Sequence, residues 1–240
     1  MNIGDMGVPF IYQGEELIHP NPVKDGLVLW YDFSGMTNND ASKDIARDLS
    51  GNGNHGTLQN FNFTPESGYD KNKLLFDGAD DQVVVNSLPM NVNQVTEEAV
   101  VEFNYNESNP YQTIFVRQGK WNYSIVFSAL SIRSIVLPKD GSRINQLVTA
   151  PREKVFHVCR TIDRANEKVS FYINGQLVDT AKLLSDVNDS GNLYDSLYIG
   201  GANMDYSEGS IHSTKVYNRP LTPEEVAHNY AIEKERFSIE

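Results

Sequence analysis

Asp48, Ser50, Asn52 and Asn54 put an oxygen-bearing side chain at every second position of Asp48-Leu-Ser-Gly-Asn-Gly-Asn54, with Gly51 and Gly53 between them. Hard cations such as Ca²⁺ take about six to eight oxygens from side chains and carbonyls, and a glycine-rich loop folds such donors around one point. The run is not an EF-hand, because the twelfth position is Gln59 where that loop supplies a bidentate Glu. It holds a single formal charge, so an ion here needs carboxylates from elsewhere. The same residues also make a tight turn with no metal, since Asx side chains and glycines satisfy and bend the local backbone. Both readings stand. His55, among glycines and with no Cys or His at metal spacing, is a loop hydrogen-bonder.

Aromatic rings are the second kind of chemistry-bearing residue. Trp121 and Tyr123 lie in Gly119-Lys-Trp-Asn-Tyr123, a turn-like stretch between two apolar runs. Flat amphipathic rings carried on a loop of a rigid scaffold suit the apolar face of a sugar, and these two are the candidate ligand-binding residues. Trp30, by contrast, sits in an alternating strand and belongs to the core.

Hydrolytic chemistry finds no support. The acidic clusters Glu15-Glu16, Asp80-Asp81, Glu97-Glu98 and Glu224-Glu225 are adjacent pairs, which on a strand point to opposite faces. His-Glu-x-x-His, Gly-x-Ser-x-Gly and a phosphate-binding Gly-x-x-x-x-Gly-Lys-Ser/Thr loop are all absent from the sequence. The expectation is a non-enzyme with no catalytic residue.

The elements that position these residues are short strands. Of 240 residues, 40% are hydrophobic and 22% charged, a globular composition with no run long enough to span a membrane as a helix. The net charge of −12 and the lack of a basic cluster argue against nucleic acid as a partner. Cys159 has no second cysteine to pair with, so it reads as a half-buried inert thiol. From Leu27 to Tyr217, apolar alternation broken by turn residues predicts strands at 27–33, 73–76, 82–85, 99–105, 113–116, 123–127, 132–137, 156–162, 168–173, 176–179, 196–199 and 210–217. Asn174-Gly175 and Asp140-Gly141 match two-residue hairpin turns. Strands at this spacing without long helices between them mean an antiparallel sandwich.

Two flanking segments differ. Residues 1–25, punctuated by Gly4, Gly7, Pro9, Gly14, Pro20 and Pro22 yet carrying apolar residues, read as an extended attachment arm. At the other end, Thr222-Pro223-Glu224-Glu225 places an N-cap, a proline at the first helical position and a capping-box glutamate. Val226, Tyr230 and Phe237 then share a face, which predicts a C-terminal helix over 222–240.

Four segments together carry a resemblance: Leu27-Val-Leu-Trp-Tyr-Asp-Phe33, Asp48-Leu-Ser-Gly-Asn-Gly-Asn-His-Gly56, Leu75-Phe-Asp-Gly-Ala-Asp-Asp81, and Phe171-Tyr-Ile-Asn-Gly175 with Lys215-Val-Tyr-Asn-Arg-Pro-Leu-Thr-Pro-Glu-Glu225. In that order they resemble the concanavalin A-like, laminin-G-like jelly-roll superfamily, in its bacterial and phage branch, over about Gly26 to Ala227. The resemblance implies an all-β fold: an antiparallel jelly-roll β-sandwich over 26–221, of two sheets with six or seven strands each. It implies a binding module for glycans or proteins. Within it, Asp77, Asp80 or Asp81 would supply the carboxylates that a Ca²⁺ site with Asp48, Asn52 and Asn54 lacks. Glucanases of this superfamily build their acid pair as Glu-x-Asp-x-x-Glu on one strand face, and no such run occurs here.

Met1–Tyr12 has no basic n-region and no apolar h-region. A module usually found outside cells, without an export signal, is expected as a bacteriophage or prophage virion protein of a fibre, baseplate or capsid decoration. It would bind other virion proteins through the arm and host surface glycans through the jelly roll, as a homo-oligomer such as a trimer. The alternatives are a secreted or surface bacterial lectin and a purely structural interaction module.

Overall fold

The computed structural model describes residues 11–13, 16–88, 90–103, 111–117, 123–128, 131–151, 155–187, 196–202 and 205–240. The first described strands form a small hairpin, β1 (Ile11–Gln13) and β2 (Glu16–His19), inside the segment expected to be an extended arm. The first stretch of the sandwich holds β3 (Leu27–Asp32), β4 (Ile45–Ala46), β5 (Gly56–Gln59), β6 (Gly68–Asp70), β7 (Lys73–Asp77) and β8 (Gln82–Val85). Next come β9 (Gln94–Phe103), β10 (Tyr111–Arg117), β11 (Tyr123–Ser128), β12 (Ser131–Val136), β13 (Ile144–Thr149) and β14 (Val155–Asp163). The last strands are β15 (Lys168–Ile173), β16 (Gln176–Lys182), β17 (Leu197–Ile199), β18 (Gly201–Ala202), β19 (Asp205–Tyr206) and β20 (Glu208–Tyr217), before helix α1 (Pro223–Phe237).

Two antiparallel eight-stranded sheets face each other. The first runs β13-β12-β11-β10-β17-β8-β5-β4; the second runs β16-β15-β14-β9-β20-β7-β6, with β3 also pairing β20. Each sheet thus exceeds the expected six or seven strands, because β4, β5, β6 and β13 are short or weakly apolar segments that join the edges. Successive side chains of a strand point to opposite faces of its sheet. In β9, Val95, Ala99, Val101 and Phe103 enter the core, while Thr96, Glu98, Val100 and Glu102 face outward.

Turn chemistry fixes part of the register. Asn174 and Gly175 both hold positive φ (47° and 71°), and Ile173 pairs Gln176 directly, the two-residue hairpin expected. Asp140-Gly141 behaves differently. Val136 pairs Ile144, so the connection is seven residues long, and of the two only Gly141 has positive φ. Pro138 bridges Val187 and Lys139 N–H donates to the Asp186 carbonyl, which holds the longer loop open.

Among the described residues, an ion pair lies inside the sandwich. Arg160 of β14 and Glu97 of β9 are direct cross-strand neighbours on the core side, 2.5 Å apart. Arg160 also donates to the carbonyls of Ser124 and Ile135 in the opposite sheet, at 2.9 and 3.2 Å. The guanidinium therefore bridges the two sheets, and its charge is compensated where it would otherwise cost most.

Helix α1 closes the outer face of the second sheet. The Thr222 hydroxyl accepts from Glu225 N–H and the Glu225 carboxylate accepts from Thr222 N–H, a complete capping box, and Ser238 ends the helix in the left-handed region. Its buried residues are Val226, Asn229, Glu233 and Phe237, not the purely apolar stripe expected, and Tyr230 is only half-buried. The reason lies beneath it. Lys215 of β20 pairs with both Glu233 and Glu98, Arg236 bridges Asp32 (2.6 Å) and Glu233 (3.3 Å), and the Asn229 amide donates to both Glu98 oxygens and to Tyr217 Oη. Trp30, Cys159, Tyr172, Tyr217, Leu221 and Val226 pack beside this network, and burial pushes the Cys159 thiol well up, in keeping with an inert group. Residues 20–25 are tied to the same helix: Val23 N–H donates to the Asn229 side-chain oxygen and Asp25 pairs with Arg219.

Candidate functional site

The loop 48–54 is a knot of hydrogen bonds against β3. Asp48 Oδ1 accepts from Trp30 N–H and Ser50 N–H; its Oδ2 accepts from the Ser50 hydroxyl and Asn54 N–H, all within 3.0 Å. A carboxylate offers about four acceptor positions, so the chain itself fills those of Asp48. Asn52 donates its amide to the Leu27 carbonyl and Asn54 to the Val28 carbonyl. His55 Nδ1 accepts from Asp48 N–H at 3.0 Å, the loop role expected of it.

The carboxylates that do meet belong to the loop after β7. One oxygen each from Asp77, Asp80 and Asp81 lies within 4.8 Å of the others; Asp48 is not among them. Asp81 is fully buried and accepts from Asp77 N–H (3.0 Å) and the Ser67 hydroxyl (3.1 Å). Burial pushes its pKa up to about 6, against the pull of those two hydrogen bonds and with the help of the Asp77 and Asp80 charges. Asp80 is exposed.

A third arrangement was not anticipated. On the outer face of the first sheet, Tyr111, Val126, Arg133, Ile135, Arg143 and Asp205 line a hollow of about 350 Å³. Strand alternation places it: Ile125, Phe127, Ile132 and Val136 fill the core, so Val126, Arg133 and Ile135 turn the other way, and Val126 pairs Arg133 across β11 and β12. Val126 and Ile135 form a buried apolar floor. Tyr111 stands 43% exposed at the start of β10, with the Arg133 guanidinium 5.7 Å from its ring centre. The Asp205 wall is held by the segment around the β18–β19 pair: Gly200 N–H donates to the Ile114 carbonyl, the Ser207 hydroxyl to the Thr113 carbonyl, and Glu208 N–H to the Gln112 side chain. Burial raises the Asp205 carboxyl above its usual range.

Trp121 lies outside the described residues. Tyr123 opens β11, where its backbone pairs with Val136. Sequence alternation alone marks Arg133 as outward-facing in Ser131-Ile-Arg-Ser-Ile-Val136, but nothing local announces that Tyr111, Arg143 and Asp205 converge on it across almost a hundred residues.

Two antiparallel sheets around one core, one face covered by a helix and the other carrying an aromatic and charged hollow, define a lectin-like jelly roll. Residues 77–227 match the family profile described as the concanavalin A-like lectin/glucanases superfamily, and the chain belongs to that family. No curated protein matches it in sequence. Among solved structures, it is similar to the botulinum neurotoxin serotype D ligand-binding domain in complex with N-acetylneuraminic acid (TM-score 0.63, 14% identity, 87% of this chain and 51% of that one). It is similar also to the receptor-binding domain of botulinum neurotoxin mosaic serotype C/D (0.64, 16%, 87% and 51%) and to the binding domain of Paraclostridial Mosquitocidal Protein 1 (0.58, 14%, 86% and 52%). At such identities the likeness is one of fold, and the chain spans about half the length of each of these structures.

Proposed function

We propose that this chain is a non-catalytic recognition module that takes a saccharide in the hollow on its first sheet. The observation that carries this reading is the hollow's make-up: a half-exposed tyrosine ring beside an apolar floor, with two guanidiniums and a carboxylate on the rim. A sugar presents one apolar face for a ring and a circle of hydroxyls for polar groups, and pockets that fix such ligands combine few convergent polar groups with apolar lining. The lectin-like family and neighbours that are receptor- or ligand-binding domains support the same reading. Non-catalysis is supported by Glu97 and Glu98, which diverge to opposite faces of the second sheet and are each neutralised by a buried cation, Arg160 and Lys215.

A glycan array followed by calorimetry tests the proposal. Wild type is expected to bind a defined subset of oligosaccharides, and Tyr111→Ala to weaken that binding by about tenfold, ~1.4 kcal/mol. A blank array for the wild type favours a purely structural interaction module instead.

The finer reading places the module on a phage or prophage particle, attached through residues 1–25 to other virion proteins as a homo-oligomer such as a trimer. Its support is the bacterial and phage character of the motifs at 48–56 and 215–225, and detection of the chain in purified particles by mass spectrometry tests it. Calcium belongs to the proposal only at Asp77, Asp80 and Asp81, whose hard oxygens suit it. A thermal midpoint raised by millimolar CaCl₂ in wild type but not in Asp80→Asn supports that site, and an unchanged midpoint removes it.

A further inference from the structure

Arg133 and Arg143, like the exposed Arg47, differ from four arginines of the molecule. Arg160, Arg164, Arg219 and Arg236 are all engaged in ion pairs with carboxylates. Among the described residues, neither Arg133 nor Arg143 makes an ion pair, although the chain carries 32 acidic residues against 20 basic ones. The Nε of Arg133 is buried with no hydrogen-bond partner, and its face is occupied only by the Tyr111 ring. A buried donor left without a partner destabilises the fold, and an acceptor entering the hollow would recover that loss. Asp205 shares the hollow with both arginines and is not within ion-pair distance of either. Its carboxyl is lifted by burial with no arginine holding it down.

Two guanidiniums thus converge on a small volume with their forks unspent, on a molecule whose net charge of −12 repels anions at long range. We infer that the hollow selects acidic saccharides, seating a carboxylate or sulfate group of the sugar on Arg133 and Arg143. This rests on the hollow being the saccharide site. A planar guanidinium matches a carboxylate or sulfate with two parallel hydrogen bonds, and the desolvated floor strengthens them. Asp205 faces the same ligand as an acceptor for its hydroxyl or amide N–H groups. Tyr111, Val126 and Ile135 cover the apolar face of the ring. Local charge, two arginines against one carboxylate, is positive, and the surrounding negative field disfavours large polyanions whose further charges would extend beyond the hollow.

The test uses the full chain on an array of neutral, carboxylated and sulfated oligosaccharides, with calorimetry on the best binder of each class. Arg143 is exposed, so Arg143→Gln leaves the fold intact; Arg133→Gln and Arg133→Lys complete the set, each checked by its melting curve. The expected result is preference for one or both acidic classes and a loss of at least about tenfold in Arg143→Gln and Arg133→Gln. Arg133→Lys is expected to recover only part of that loss, and affinity is expected to fall as NaCl rises from about 0.05 to about 0.5 M. The carboxylated and sulfated arms separate the two acid groups. Neutral oligosaccharides bound as tightly, with Tyr111→Ala damaging and both glutamine variants harmless, would overturn the acidic preference while leaving the saccharide site in place. A wild type that binds no saccharide of any class overturns both.

Discussion

Glu98 and His212 lie under the same helix, and both make the fold sensitive to acid. Burial pushes the Glu98 carboxyl up, but Lys215, His157 and the Asn229 amide outweigh it and hold the pKa at about 2. A folded value below the unfolded one means stability that is present above about pH 4.5 and is lost as pH falls toward 2. His212, packed 4.9 Å from the Phe237 ring, is lowered by burial from 6.5 to about 4. The fold therefore holds it neutral, and stability is lost as pH falls from about 6.5 through 4. Asp81 works the other way: its value, raised to about 6, favours the fold in acid and that contribution disappears as pH rises through 6. In the window from about 4 to 6.5 the two opposed contributions offset each other. Urea midpoints of the wild type are expected to be nearly flat there and to drop below about pH 4.5. In His212→Gln, which cannot take the proton, the midpoint is expected to climb as pH falls from 7 to 5; a flat profile in that variant would remove Asp81 from the account.

Among the elements, strands whose residues alternate cleanly were legible from the sequence, as were those bounded by unmistakable turns. Leu27–Asp32, Lys168–Ile173 and the Asn174-Gly175 hairpin are where local pattern and global fold agree. The edges were not: Ala46, Gly56 and Gly68 occupy strands too short and too poor in β-branched residues to stand out, and their pairing comes from neighbours distant in sequence. Helix α1 was legible in its caps but not in its buried face, because Asn229 and Glu233 answer to Glu98, Tyr217 and Lys215 on the sheet below. Alternation over 156–162 marks Arg160 only as one residue of a strand, whereas it joins two sheets. Replacing it by Met leaves Glu97 charged and buried, which costs about 3–5 kcal/mol. The loss is expected to shrink when Glu97 is replaced by Leu in the same chain, as urea denaturation of the single and double variants would measure.

Over the whole molecule, the two outer faces have different fates. The second sheet is roofed by α1 through charges that find partners, and the first carries Arg133 and Arg143, which among the described residues make no ion pair. The fold class was legible because it depends on alternation and order, properties a linear text carries. Of the aromatic residues expected to meet a ligand, Trp121 lies outside the described residues, and the hollow adds Tyr111, which the sequence does not single out. Tyr111, Arg133 and Asp205 converge through a β-bulge between Thr113 and Phe115 that re-aims one strand, and through backbone bonds that fasten residues 200–208 onto it. A bulge leaves almost no trace in residue types.

Because the Arg160 guanidinium grips the carbonyls of Ser124 and Ile135 from within, the bed of the hollow is braced against the far side of the protein. Amides of β11 and β12 should then exchange hydrogen slowly and stay equally slow when ligand arrives. A braced bed does not mould itself to its guest, so discrimination among ligands falls to the few rim side chains free to swing, and entropy lost on association is spent there rather than on the backbone.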